Sequence, residues 1–340
     1  MTSFHATRSS EGTTSLRIHQ FAALEPGPRL LVLGAVHGNE TCGTQGIARV
    51  VAELDAGALA LSRGSATFLP VTNPLAYQKK QRMGDRNLNR NLYPNATPKD
   101  FEDRIANQLC PLLAAHDVLL DLHSFHTAGE PFVMVGPPDN NGELEPFAHA
   151  AHEQALALRL GPRRIVEGWL ETYATGVQRR LARTAPSERA HLLSTDPRYG
   201  VGTTEYMRTQ GGYGVTLECG QHDDPNAPEV AWHAIRRTLA HLGMVDEAAP
   251  SATRDIQLLR LTEVIDKYHA ADQFARAWSS YDPVRQGELV GSRNDGTAVV
   301  APEDGFIVFP NPAAVPGNEW FYFAQKSTRD MGSLSPELDK

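Results

Sequence analysis

The stretch Leu30–Val36 reads LLVLGAV and is followed directly by His37, Gly38, Asn39 and Glu40. A continuous apolar run of this length, with a glycine near its end, is typical of a strand buried on both faces of a sheet. Apolar residues then recur at helical spacing over residues 43–54, which predicts a helix directly after the strand. His37 and Glu40 are therefore expected in a strand-to-helix turn.

The same alternation of strand and helix continues along the chain. It predicts an α/β fold with a mixed, mostly parallel sheet and helices on both faces. Beyond the first pair, the patterns predict strands at 66–71, 118–122 and 214–217 and helices at 99–115, 147–160 and 229–242.

The character of the sequence changes near residue 246, where DEAAPSATRD has the small and polar composition of a linker. Short apolar stretches separated by Gly and Pro follow it. We therefore predict two domains, a large α/β domain over residues 1–245 and a small C-terminal β domain over residues 255–330.

The bulk composition narrows the function. The 340 residues are 41% hydrophobic and 21% charged with a net charge of -8, which argues against a nucleic-acid partner. No apolar run approaches the ~20 residues that cross a membrane, and the first residues carry no signal-peptide pattern. We expect no membrane association and a cytoplasmic location. The three cysteines are far apart, which indicates reduced thiols.

Two histidines and a carboxylate are the strongest chemical signal. His37 and Glu40 are three residues apart in the predicted turn, and His123 ends another buried strand. Parallel strands present their carboxyl ends at one edge of a sheet, so the three side chains are expected to converge. Two His and one carboxylate form a catalytic zinc set with one position open for water. Asp121, two residues before His123, is expected as an outer partner of the site.

Two further segments carry polar groups where a ligand would bind. Glu218 follows the apolar residues 214–217, and a buried glutamate there is either a catalytic base or paired with an arginine. The loop after the second strand contains Arg82, Asn89 and Arg90, which together can hold a carboxylate. On its own, the loop is more typical of a solvated basic surface.

At these positions the sequence resembles the succinylglutamate desuccinylase/aspartoacylase family, which has a zinc carboxypeptidase-like fold. The resemblance covers most of the chain, although the family often has an aspartate where this chain has Asn87. Its motifs are HGNE from His37, NP followed by R and NLNR over 73–90, DLHS from Asp121 and LECG from Leu217.

The resemblance implies a role for each matching residue. His37, Glu40 and His123 would bind one zinc ion per chain, and Glu218 would act as general base. In addition, the resemblance implies substrate binding by Arg82, Asn89, Arg90 and Tyr322, and polarisation of the scissile carbonyl by Arg208.

We therefore expect a zinc-dependent amidohydrolase that cleaves a linear amide in a small anionic N-acyl amino acid or amine. A metallocarboxypeptidase acting on peptides and an inert zinc- or ligand-binding protein with the same fold remain alternatives. The sequence leaves open the acyl group, the amine, the use of other divalent metals, assembly into a homo-oligomer and the role of the C-terminal β domain.

Overall fold

The computed structural model describes residues 15–185, 187 and 195–331, so the N-terminal segment searched for a signal peptide lies largely outside it. None of the helices in the described ranges is both long and apolar enough to cross a bilayer. The α-helices are α1 Cys42–Asp55, α2 Pro74–Lys79, α3 Phe101–Ala114, α4 Ala150–Ala157, α5 Trp169–Arg183, α6 Thr203–Thr209 and α7 Ala227–His241.

The strands form one large sheet and one small sheet. The first eight are β1 His19–Ala22, β2 Arg29–Leu33, β3 Ser65–Leu69, β4 Val118–Phe125, β5 Phe132–Met134, β6 Arg164–Glu167, β7 Tyr213–Gln221 and β8 Gln257–Asp266. The last six are β9 Gln273–Phe274, β10 Pro283–Val284, β11 Leu289–Ser292, β12 Ala298–Val300, β13 Gly305–Val308 and β14 Glu319–Lys326.

The large sheet has the strand order β1-β3-β2-β4-β7-β5-β6-β8-β14-β13-β10. Its centre is parallel, because β2 pairs with β3 and β4, and β4 pairs with β7, all in the same direction. Antiparallel pairs join β1 to β3 and β5 to β7. The expected mixed, mostly parallel sheet is therefore confirmed.

Helices cover both faces of the sheet, as the unbroken apolar run of β2 predicts. Leu30 and Val32 pack into a core that contains residues of α1, α4 and α7. Leu31 and Leu33 point to the other face and pack with residues of α3, α5 and α6. Because successive side chains of a strand alternate between faces, burial on both sides requires apolar residues at every position.

The C-terminal strands continue the large sheet past the predicted linker. β8 pairs in parallel with β6 and in antiparallel with β14, and β13 and β10 extend the sheet further. The strands β12, β11 and β9 form the separate small sheet. The α/β fold with a small C-terminal β portion is confirmed, while the division into two domains at residues 245–255 stays a prediction.

Two strands extend further than their apolar runs. β4 continues through His123, and β7 continues through Glu218, because the two strands hydrogen-bond to each other beyond their apolar residues. His123 and Glu218 are Cα partners in this register. Both side chains therefore belong to the strands themselves, near their carboxyl ends, and their positions are fixed by the ladder.

Candidate active site

The turn after β2 and the end of β4 bring three potential metal ligands together. His37, Glu40 and His123 are all buried, and one ligand atom from each lies within 4.8 Å of the others. The carboxylate of Glu40 is central, since Oε1 lies 2.9 Å from His37 Nδ1 and Oε2 lies 2.9 Å from His123 Nδ1. The group could hold a metal ion.

The outer nitrogens of both rings face acceptors. Nε2 of His37 lies 2.9 Å from Asn87 Oδ1. Nε2 of His123 lies 2.9 Å from Asp121 Oδ2, within ion-pair distance, but it has no hydrogen-bond partner among the described residues. For His37, the acceptor at Nε2 favours the tautomer that carries its proton there and leaves Nδ1 free as a ligand. The donor set therefore fits a metal ion.

The charges of the three side chains are strongly coupled. Burial, together with Arg82, lowers the pKa of His37 to about 4, so its ring is neutral. Burial also opposes the charged form of His123, but Asp121 and Glu40 outweigh it and raise the pKa of His123 well above its usual range. Burial alone would raise the pKa of Glu40, whereas the two histidines hold it well below its usual range.

Glu218 lies on β7 beside the three ligands. Its Oε2 is buried and makes no hydrogen bond to the described residues. Burial, and next the charge of Glu40, raises the pKa of Glu218 to about 8, against the opposing effects of His123 and Arg82. A carboxylate in this state can take and return a proton near neutral pH.

The basic loop between α2 and α3 contains three predicted substrate-binding residues and several polar residues that stabilise the loop itself. Arg82 Nη1 lies 2.9 Å from Glu40 Oε1, with 49% of its side chain exposed. Arg90 is half-buried, with its guanidinium 4.6 Å from the ring centroid of Trp169. Asn89 accepts the backbone N–H of Thr203 through Oδ1 at 2.9 Å. All three predicted substrate residues thus lie on the inner side of the loop.

Other polar residues of this loop hold its shape. The guanidinium of Arg86 binds Asp100 and Asp103 at 3.0 Å each. The buried carboxylate of Glu102, at the start of α3, accepts backbone N–H groups of residues 84, 85 and 86 and the side chain of Asn73. The basic composition of the loop therefore has a structural component as well as the predicted ligand-binding one.

Arg208 lies in a buried group of carboxylates. Its Nε donates to Glu153 at 2.8 Å, Nη1 to Glu145 at 2.7 Å, and Nη2 to the carbonyl of Gly214 at 2.9 Å. A third carboxylate, of Glu205, lies 3.6 Å away. Most of its donors are thus engaged within the protein, and its role at the scissile carbonyl stays a prediction.

Tyr322 comes from β14, in the C-terminal part of the sheet. Its side chain is 3% exposed, and its hydroxyl makes no hydrogen bond within the described residues. Its ring lies beside Trp169, with 5.3 Å between centroids. A buried hydroxyl without a partner is consistent with contact to a bound molecule.

One cavity of about 430 Å³ joins these residues. Glu40 lies behind its wall, and residues from both predicted domains line it. Of the predicted site residues, the lining contains His37, Arg82, Asn89, Arg90, His123, Arg208, Glu218 and Tyr322.

The sequence reasoning missed one polar chain beside the metal ligands. Nδ1 of His222 lies 2.8 Å from Ser124 Oγ, and its Nε2 lies 3.3 Å from Asn39 Nδ2. Asn39 and Ser124 are the neighbours of Glu40 and His123 in sequence. The sequence signal that could have identified this position is the histidine four residues after Glu218, just beyond the end of the strand.

Several solved structures share this fold. A succinylglutamate desuccinylase/aspartoacylase from Rhodobacter sphaeroides superposes with a TM-score of 0.67 at 18% identity, covering 92% of this chain and 89% of that chain. An ectoine utilization protein from Ruegeria pomeroyi gives 0.66 at 18% identity, covering 90% and 88%. An aspartoacylase family protein from Mesorhizobium loti gives 0.62 at 22% identity, covering 92% and 90%.

The family comparison is more specific than the fold. No curated protein sequence matches the chain closely enough to count as a relative. The model of the succinylglutamate desuccinylase/aspartoacylase catalytic domain matches residues 26–227, more than half of the chain and all of the segment from β2 to Glu218. The chain therefore belongs to the succinylglutamate desuccinylase/aspartoacylase family of hydrolytic deacylases.

Proposed function

We propose that the chain is a zinc-dependent amidohydrolase that cleaves the amide bond of a small N-acyl amino acid or amine. The observation that carries the proposal is the buried group of His37, Glu40 and His123, with Glu218 on the adjacent strand and a cavity in front of them. Family membership supports the reaction type, and the donor set supports the metal.

Zinc fits the donor set best among common divalent metals, because two imidazoles and one carboxylate suit zinc and leave a position open. We expect one ion per chain. When bound, the ion would supply Lewis acidity that lowers the pKa of water toward about 7 and polarises the scissile carbonyl.

Glu218 would accept the proton of the attacking water and deliver it to the leaving nitrogen. The raised pKa of this carboxyl, about 8, suits a group that carries a proton in one step and releases it in the next. Its unpartnered Oε2 leaves an acceptor for that water.

Arg82 and Arg208 are the candidates to stabilise the oxyanion that forms on the carbonyl. Arg82 is the better supported of the two, since its guanidinium contacts Glu40 and still has half of its surface exposed. Arg90 and Asn89 would hold a carboxylate of the substrate, and Tyr322 would donate its free hydroxyl to the same part of the substrate.

The test is amine release from N-acetyl, N-formyl and N-succinyl amino acids by zinc-loaded protein. We expect release that requires zinc and that falls by at least about 10³-fold in Glu218→Gln, because the proton transfers are lost. Metal analysis of Glu218→Gln should still give one zinc per chain. Glu229→Gln, which changes an exposed glutamate of α7, is the matched control.

The same experiment separates the alternatives. Release of C-terminal residues from peptides, without cleavage of acyl amino acids, would support the metallocarboxypeptidase. Zinc binding with no turnover on either panel would favour an inert binding protein. A protein that binds no zinc would contradict the proposal. The absence of nucleic-acid and membrane partners, the cytoplasmic location and a homo-oligomeric state remain predictions.

A further inference from the structure

The arginines that line the cavity differ in how far their charges are already neutralised. Arg208 contacts the carboxylates of Glu145, Glu153 and Glu205 within 3.6 Å, so one guanidinium faces three carboxylates. Burial, with the charges of Glu205 and Glu153, raises the pKa of Glu145 to about 7 even against the pull of Arg208. This wall of the cavity is therefore neutral to negative.

The N–H groups of Arg208 that would bind a substrate carboxylate already donate hydrogen bonds within the protein. A bidentate contact requires two parallel N–H groups on one side of the guanidinium. Nε binds Glu153, Nη1 binds Glu145, and Nη2 binds the carbonyl of Gly214. A substrate carboxylate would have to displace one of these buried partners.

Arg90 is in the opposite situation. Its guanidinium binds the carbonyl of Asn89 and lies over Trp169, and it makes no ion pair within 4.0 Å among the described residues. Glu319 and Glu205 act on it at longer range, and Glu319 has no ion pair of its own in that part of the chain. Arg90 can therefore bind a single carboxylate, whereas a second one nearby would meet these glutamates.

The other basic side chains that line the cavity either contact a carboxylate or are neutral. Arg82 lies against Glu40, next to the proposed reaction centre. Burial lowers the pKa of both His126 and His222, so neither ring is charged at neutral pH. Among the described residues that line it, the cavity thus offers one cation without an ion pair away from the metal group.

We infer that the substrate carries a single carboxylate, held by Arg90, and is an N-acyl derivative of an amino acid whose side chain and acyl group carry no carboxylate. Arg208, neutralised by its three glutamates, acts as the specificity-determining wall that disfavours a second carboxylate. This inference rests on the proposed function and narrows its substrate class. The compounds in the family name carry more than one carboxylate, whereas the inferred substrate carries one. A buried carboxylate without a cation is strongly disfavoured.

Two isosteric pairs of substrates test the inference with zinc-loaded protein. N-acetylasparagine is compared with N-acetylaspartate, and N-succinamoylalanine with N-succinylalanine. Each pair differs only in one carboxylate that replaces an amide. We expect kcat/KM to favour the amide member of each pair by at least about tenfold. Equal or faster turnover of the carboxylate members would overturn the inference while leaving the proposed function intact.

Variants then test the role of the wall. Glu145→Gln removes an ionisable carboxylate from Arg208 and should reduce the ratio of kcat/KM between the amide and carboxylate members at least about threefold. Glu229→Gln makes the same chemical change far from the cavity and should leave it unchanged. If Glu145→Gln leaves the ratio of kcat/KM between the amide and carboxylate substrates unchanged, the wall formed by Arg208 and its glutamates does not set this specificity.

Binding measurements test the inference even if none of the four compounds is hydrolysed. The four compounds are titrated into zinc-loaded Glu218→Gln by calorimetry. Tighter binding of the amide members supports the inference, and tighter binding of the carboxylate members overturns it. If none binds and wild-type protein hydrolyses no N-acyl amino acid, the proposed function fails as well.

Discussion

At the scale of single residues, the metal group is arranged so that its two histidines have different proton affinities. His37 is neutral because burial and Arg82 lower its pKa, whereas Asp121 and Glu40 raise the pKa of His123. In the absence of a metal ion, His123 therefore keeps a proton that a metal ligand must give up. Metal uptake should be linked to the release of that proton.

This linkage predicts that zinc affinity rises with pH. With a raised pKa, His123 stays protonated through neutral pH, and each bound ion displaces about one proton. The affinity should then increase about tenfold per pH unit until His123 titrates. A competition titration between pH 6 and 8 measures the slope. Asp121→Asn, which removes a carboxylate that raises this pKa, should flatten it, and a pH-independent affinity in the native protein would contradict the assignment.

The ligand residues could be predicted from sequence, whereas the partners of Arg208 could not. His37, Glu40 and His123 follow apolar runs whose strand character is local, and parallel strands bring such ends together. Glu153 lies on α4 and Glu145 precedes this helix, and both contact Arg208 of α6 only through the tertiary fold. Nothing in their local sequence distinguishes them from surface glutamates.

At the scale of elements, the turn between β2 and α1 depends on close backbone contact with α2. A Cβ atom on Gly38 would lie 1.9 Å from the carbonyl carbon of Ala76 and 2.2 Å from the backbone nitrogen of Tyr77. Both contacts are with backbone, so no side-chain rotation can relieve them. The turn that carries His37 and Glu40 can therefore approach α2 only with glycine at this position.

Replacing Gly38 by alanine should separate the turn from α2. We expect Gly38→Ala to lower the free energy of unfolding by about 1–3 kcal/mol and to weaken zinc binding, because His37 and Glu40 shift with the turn. Chemical denaturation and metal titration measure the two effects. Gly142→Ala is the control, since its Cβ would meet only the flexible side chain of Asn140. Equal effects of both variants would argue against the close-contact explanation.

The long apolar strands were predictable, and the short ones were not. β2 contains an unbroken apolar run and β4 a run interrupted only by Asp121, whereas β5 and β6 have only three and four residues. Such strands exist because neighbouring strands supply their hydrogen bonds, and this pairing is not encoded in the strands' own composition. α5, which supplies Trp169 to the cavity, was missed with them.

At the scale of the whole molecule, the continuous sheet builds the cavity from both ends of the chain. β8 joins β6 through pairs such as Val166 with Leu259, which are more than ninety residues apart in sequence. β14 then brings Glu319 and Tyr322 to the cavity that the metal group also lines. The linker composition near residue 246 could not predict this continuity, because strand pairing over such separations leaves no local pattern.

The limited volume of the cavity predicts selection by substrate length. Tyr322 of β14, with Phe309 and Asn311 from the segment between β13 and β14, forms one wall of the cavity. The cavity volume of about 430 Å³ suits one acylated amino acid. We expect kcat/KM to fall about a hundredfold when an N-acetyl amino acid is extended to an N-acetyl tripeptide that presents the same scissile amide. Asn311→Gly, which thins this wall, should relax the selection, whereas Asn294→Gly, on the exposed surface, should not. Efficient hydrolysis of the tripeptide by native protein would show that the wall leaves room for a peptide and would favour the metallocarboxypeptidase.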